Sequence, residues 1–261
     1  MITSTRNPKI QRVRQLQSRA RQRRQEGAFV VEGVRLGEEA LGAGCEAQLV
    51  LYTQDLDERA QALVAGFAAG GVEVEPVTGQ VMSAASDTKE PQGVLIVLSL
   101  QPLPLPASAS LVFIPDGVRD PGNLGGMLRS AAAAGAQAAL LPPGTADPYA
   151  PKVLRAAMGA HFRLPVQPAS WGQIRKNLED WGLQVFLAEA AAGLPYTQAD
   201  LRGPLALIIG GEASGAGEQA LALAQTRLHI PMPGGGESLN AAAAAAVLLF
   251  EIARQRGHNP G

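Results

Sequence analysis

"LVFIPDGVRDPGNLGGMLRSAAAAG" (residues 111–135) reads as a buried strand, a tight turn and a helix. Asp120, Pro121 and Gly122 make the turn, and Asn123 is placed to cap a helix running from about Leu124 to Ala134. Gly125 and Gly126 leave the first helical turn bare, so an anion can reach its free N–H groups. Arg129 follows Asn123 by six residues. A cation near a helix start works against the helix dipole, which invites a functional reading. An ordinary capped helix with a surface arginine is the alternative.

The same strand-then-helix unit recurs to the C-terminus. Strands are expected at "AQAALLPPG", "LQVFLAE", "PLALIIGGE" and "RLHIPM". Helices are expected over 151–158, 171–181, 217–224 and about 238–254. This alternation predicts an α/β domain with a mostly parallel sheet covered on both faces. Upstream, "AFVVEG", "AQLVLYT", "VEVEPV" and "GVLIVLSL" alternate with two helical patterns and predict a smaller α/β unit over residues 1–100. "QPLPLPASAS" (101–110) carries three prolines and reads as a linker, leaving 111–261 as the second domain.

Composition narrows the partners. The net charge of −1 conceals an asymmetry: residues 1–26 carry eight Lys and Arg against Glu26 alone, on an otherwise acidic chain. A basic arm on an acidic body points to local contact with a polyanion, with Arg6, Lys9, Arg12 and Arg14 as candidate phosphate ligands. Lys152 and Arg155 are further candidates. A solvated arginine-rich helix is the competing reading. Cys45 is the single cysteine and the three histidines (161, 229, 258) are scattered, so neither a disulfide nor a metal site is expected. No apolar stretch follows Met1 and no uncharged run reaches the ~18 residues of a membrane helix. A cytoplasmic protein without membrane contact is expected.

Two further turns follow strands. In "LALIIGGEASGAGEQAL" (205–221), Gly210 and Gly215 have the spacing of a nucleotide loop, but Ala216 stands where its lysine belongs. Glu212, just past the strand, is a candidate ligand or orienting group. In "HIPMPGGGESLNAAAAAAVLLFEIARQ" (229–255), two prolines stiffen the strand exit. Three glycines there permit close approach, and Ser238 or Asn240 can cap the last helix.

Taken in order, the three turns resemble the signature motifs of the SpoU-type (TrmH-like) RNA 2′-O-ribose methyltransferases of the SPOUT superfamily. "NLGGMLR" is similar to the first, "GGEASG" to the second and "IPMPGGGESLN" to the third. "KVLRAAMGAHFRLPV" (152–166) extends the likeness through the second half. "NPKIQRVRQL" and "FVVEGVRLGEEAL" resemble the substrate-binding domain often fused in front. Ala241 and Ala242 depart from the more usual branched and hydroxyl residues.

The resemblance implies a deep trefoil knot in the second domain. It also implies S-adenosylmethionine held by backbone at Gly210, Ile230 and Leu239 with Met232 nearby, and a homodimer packed through the C-terminal domain. The implied reaction is methyl transfer to a ribose 2′-OH of RNA, most simply rRNA. Arg129 would act at the hydroxyl, while Asn123, Glu212, Ser238 and Asn240 orient it and the ribose. The same chemistry on tRNA, or a non-catalytic RNA-binding protein on this scaffold, are the alternatives.

Overall fold

The computed structural model describes residues 1–190, 192–211, 215–236 and 238–257. The chain divides into two compact units, Met1–Gln101 with Tyr149–Phe162, and Pro102–Pro148 with Arg163–Gly261. No helix among the described residues is long and apolar enough to cross a membrane.

The first unit opens with α1 (Pro8–Ser18) and α2 (Ala20–Glu26). Asn7 caps α1 by accepting from the Lys9 N–H, and Pro8 sits where a missing N–H does no harm. Ile10, Val13 and Leu16 repeat at helical spacing and are fully buried against the sheet. Ile2 forms a bridge with Val77. The basic stretch is therefore a built-in part of this unit and not the arm expected from charge alone, because its apolar stripe needs cover.

The chain continues through β1 (Ala28–Glu32), α3 (Val34–Gly42), β2 (Ala47–Tyr52), α4 (Glu58–Ala69), β3 (Val74–Pro76), α5 (Gly79–Ala85) and β4 (Val94–Ser99). The sheet order is β1-β4-β2-β3, with β4 antiparallel to both neighbours and β2 parallel to β3.

The second unit holds β5 (Leu111–Asp116), α6 (Pro121–Ala133) and β6 (Ala138–Leu141). Between its two parts, α7 (Pro151–Ala157) and a short 3-10 turn (Ala160–Phe162) pack with the first unit. There Tyr149 lies 4.9 Å from the Phe29 ring and Leu154 is buried in the same core. The second unit resumes with β7 (Val166–Pro168), α8 (Trp171–Asp180), β8 (Gln184–Ala188), β9 (Leu194–Pro195) and β10 (Leu205–Gly210). It ends with α9 (Glu218–Leu223), β11 (Thr226–His229) and α10 (Ala241–Gln255).

Its seven strands run in the order β7-β6-β5-β10-β8-β11-β9. Every pairing is parallel. Such a sheet must be covered on both faces, which explains the unbroken burial of β5 and β6. Ile174, Leu178 and Ala220 from α8 and α9 cover one face. α6 packs on β5, α10 on β10, and α6 and α10 on each other. Gly126 lies at that last contact, where a Cβ would stand 3.5 Å from Ala242 Cβ, an ordinary packing distance.

Two helix starts differ from expectation. α6 begins at Pro121, not Leu124, because Asp120 is the cap: its Oδ1 accepts from the Asn123 N–H at 2.8 Å. Proline at the first helical position suits that start. The Asn123 side chain is thereby released for another partner. α10 begins at Ala241, with Asn240 and not Ser238 as its cap.

Candidate functional site

Ligands of open parallel sheets gather beyond the carboxyl ends of strands, near the point where the strand order reverses. Here β5 continues outward to β6 and β7, while β8 restarts on the other side of β10. A cavity of about 880 Å³ opens beyond the ends of β8, β10 and β11. That is the size range of small-molecule sites.

Gly210 closes β10 and lines the cavity, as do Ile230 and Met232 just past β11 and Ser238, Leu239 and Asn240 ahead of α10. Leu239 is 38% exposed, an apolar side chain with room for a partner. Ala188, Ile209, Leu228 and Leu248 supply more apolar wall. Glu189 brings a carboxylate to the same cavity and lies 3.6 Å from Arg227 Nη1. The sequence motifs do not mark Glu189. A signal exists nonetheless, since it follows "VFLA" as Glu212 follows the "LALIIGG" strand.

The glycines act differently from one another. A Cβ on Gly210 would lie 2.4 Å from the backbone of Gly215 and Ala216, and one on Gly211 would lie 2.4 Å from the Gly117 carbonyl. Gly193, with φ +91, would meet the Arg227 carbonyl at 2.1 Å. Chain segments therefore press together at Gly193, Gly210 and Gly211. Gly234 and Gly235 face open space, although Gly235 needs its glycine for φ +76. Within the chain the tight backbone approaches lie at these three glycines and not at Gly234 or Gly235, and the Gly211 contact joins the loops after β10 and β5.

Two polar tethers tie these loops. Asp116, at the end of β5 and buried, accepts from the Gly217 N–H at 2.7 Å. Asn240 donates from Nδ2 to Asn123 Oδ1 at 3.0 Å, while its own Oδ1 accepts from Ala242 and Ala243 N–H. Asn240 thus caps α10 and reaches α6 with one side chain.

The remaining sequence candidates are placed as follows. Asn123 touches the rim residue Asn240 but does not line the cavity. Arg129 is exposed on α6, lies outside the cavity lining and makes no ion pair among the described residues. Glu212 lies outside the described residues. Arg6, Lys9, Arg12 and Arg14 are on the first unit. So are Lys152 and Arg155, since α7 packs there. Lys9 bonds Glu73 and Glu75, both at 2.7 Å, and Arg12 bonds Glu26 at 2.7 Å. Arg155 bonds Asp87 at 2.7 Å.

The cavity fits an adenosine-type cofactor. Leu239, Ile230 and Met232 offer apolar cover for a flat base, and Glu189 and Ser238 offer acceptors for hydroxyl or ammonium donors.

A parallel-sheet domain with a strand-end cavity, preceded along the chain by a smaller α/β unit, defines the class of this protein as a two-domain ligand-binding α/β protein. Residues 110–250 match the SpoU rRNA Methylase family, and residues 7–96 match the MRM3-like substrate binding domain. The chain belongs to the SpoU rRNA methylase family. It is 32% identical to the Bacillus subtilis protein named 23S rRNA (guanosine(2553)-2'-O)-methyltransferase RlmP, covering 96% of this chain and 98% of the relative. A crystal structure of AdoMet-bound rRNA methyltransferase from Sinorhizobium meliloti superposes with a TM-score of 0.87 at 30% identity, covering 100% of this chain and 98% of the other. The SpoU methyltransferase AviRb from Streptomyces viridochromogenes, in complex with AdoMet, gives 0.86 at 26% identity, covering 97% and 100%.

Proposed function

We propose that this protein transfers a methyl group from S-adenosylmethionine to a ribose 2′-OH of rRNA. The observation that carries this reading is the strand-end cavity, where Gly210, Ile230, Met232 and Leu239 meet Ser238 and Asn240. The cofactor supplies a methyl group on a positively charged sulfur, already activated for transfer. Backbone at Gly210, Ile230 and Leu239 would hold it, with Met232 and Leu239 as apolar cover.

The chain's own task is to orient the hydroxyl and stabilise the charge it develops as its proton leaves. Arg129 fits charge stabilisation better than proton abstraction, since a guanidinium stays protonated. Asn123 and Asn240 set the relative position of α6 and the cavity rim, and Glu212 is retained as an orienting group. The knotted crossing of the loops is part of this proposal. So is a homodimer through the C-terminal domain: Phe250 on α10 is 52% exposed, and Ala243, one face-repeat earlier, is exposed too.

The test is transfer of labelled methyl groups from S-adenosylmethionine to deproteinised rRNA and to tRNA, followed by mapping of 2′-O-methyl positions. Labelling of rRNA at a defined ribose is expected. Labelling of tRNA alone moves the substrate, and cofactor binding with no transfer to either RNA leaves a non-catalytic RNA-binding protein.

A further inference from the structure

α1 and α2 meet at Arg19, and their elbow is held from inside by Arg23. That side chain is only 4% exposed, and its Nη1 donates to the carbonyls of Leu16 at 2.5 Å and Gln17 at 2.9 Å. Both carbonyls lie in the last turn of α1, where carbonyls lack intrahelical partners and a cation meets the negative end of the helix dipole. Arg23 thus fixes the angle at which α2 leaves α1.

The other cations between Pro8 and Glu26 fall into two groups. Lys9 and Arg12 are neutralised, the first by Glu73 and Glu75 and the second by Glu26. Arg12 also donates to Gln48 at 2.5 Å. Arg14, Arg19, Arg21 and Arg24 are exposed and make no ion pair or side-chain hydrogen bond among the described residues. Arg21 and Arg24 are one helical turn apart, a spacing of about 5–6 Å at which like charges repel. Glu26, the one acid of the segment, is already committed to Arg12 and Gln22. The fold therefore compensates two cations and leaves four neighbours uncompensated on a rigid elbow. A polyanion would relieve that repulsion, and the planar guanidinium fork suits phosphate oxygens.

We propose that Arg14, Arg19, Arg21 and Arg24 form a phosphate-binding surface that docks the backbone of the RNA substrate on the first unit. This rests on the RNA reading above and changes which cations meet the RNA. Lys9 and Arg12 serve the fold, since a phosphate would have to displace the carboxylates they hold. Phosphate contacts of this kind position the RNA and carry little sequence information.

The experiment compares the full chain with the fourfold variant Arg14→Gln, Arg19→Gln, Arg21→Gln, Arg24→Gln. Affinity for labelled single-stranded RNA and for deproteinised rRNA is measured across a salt series. The slope of log affinity against log salt should fall by roughly 0.7–0.9 for each phosphate no longer neutralised, with affinity down about tenfold or more at low salt. S-adenosylmethionine affinity and the unfolding temperature should not drop. The single variant Arg21→Glu should weaken RNA binding in the same direction by several-fold, guarding against a misfolded fourfold variant. Lys9→Gln with Arg12→Gln should lower the unfolding temperature and leave the salt slope in place. If the parent binds RNA and the fourfold variant keeps its slope, the surface is inert while the RNA reading stands. If the parent binds neither RNA at low salt, the RNA reading itself fails.

Discussion

The Asn240 amide donates to Asn123 Oδ1 at 3.0 Å, joining two side chains 117 residues apart. The bond links the start of α6 to the start of α10 across the rim of the cavity. Asn240 also caps α10, so its removal should have two separable effects. Asn240→Ala should destabilise the chain by about 1–2 kcal/mol, most of it from the lost cap. Asn123→Ala should lose about 1 kcal/mol for this bond, the worth of one exposed hydrogen bond, together with whatever its other contact contributes. Urea unfolding of both single variants and the double variant checks this. A double variant equal to the sum of the singles would mean that the tether carries no coupling energy.

Gly210 and Leu239 line the same cavity but should respond oppositely to substitution. Gly210→Ala places a Cβ 2.4 Å from backbone atoms of Gly215 and Ala216, which cannot swing aside as a side chain would. Its unfolding temperature should fall even without ligand. Leu239→Ala removes a side chain that is 38% exposed, so stability should change little. Its affinity for S-adenosylmethionine should drop by about three- to tenfold, below the full burial value of a leucine. Calorimetric titration and thermal unfolding of the two apo variants separate the effects.

Glu189 is the carboxylate that sequence motifs do not mark. If it accepts from cofactor hydroxyl or ammonium groups, Glu189→Ala should weaken S-adenosylmethionine binding by about tenfold or more, the scale of a charged hydrogen bond. Arg227→Ala, which removes a cation 3.6 Å away and outside the cavity lining, should have a smaller effect. Equal affinities in the parent and Glu189→Ala would remove the residue from the cofactor site.

The ion pairs of α1 predict how the first unit responds to pH. Burial pushes the Glu26 carboxyl up, but hydrogen bonds from Arg12 and Gln22 outweigh it and hold it below its usual range. The Lys9 hydrogen bond likewise lowers Glu75. A carboxyl depressed in the folded state stabilises above its unfolded pKa of about 4.3, and that contribution disappears as pH falls through the folded value. Hydrogen bonds to Glu73 and Glu75 raise Lys9, whose contribution is present below its unfolded pKa and lost as pH climbs past the folded one. Stability of the parent should therefore fall on acidification below about pH 4, and Glu26→Gln should flatten that limb. Unfolding midpoints from pH 7 down to 3 test this, and an unchanged acid limb in the variant would discount the Arg12–Glu26 pair.

Arg129→Ala should lower methyl transfer by about a hundredfold or more, the scale of a lost positioned charge. S-adenosylmethionine affinity should hold, because Arg129 lies outside the cavity lining. Phe250→Asp on α10 should shift the chain toward monomer in light scattering. Transfer lost together with dimerisation in Phe250→Asp would place the working site within the dimer.

Periodicity makes most elements readable. The continuous apolar runs of "LVFI" and "LALII" read as strands buried on both faces, and the two strands pair in parallel. The start of α6 is readable too, since Asp120 before Pro121 is a cap followed by proline, but Asn123 offers the same capping chemistry three residues later. β9 has two residues and no period to detect. α7 carries its own helical pattern, yet nothing local says that Leu154 and Tyr149 belong to the core around Phe29.

By itself the sequence determined the α/β alternation and three glycine turns placed after strands. These are local matters of backbone preference and of the spacing of apolar side chains. Tertiary structure decided which strand ends converge, and so which of those turns share a cavity with Glu189. It decided that Gly210 and Gly211, not the triple glycine, lie where backbones press together. It also decided which cations are compensated: Lys9 is neutralised by acids 64 and 66 residues away, while Arg14, Arg19, Arg21 and Arg24 are not. Charges compensate through space, and distance along the chain says little about distance in the fold.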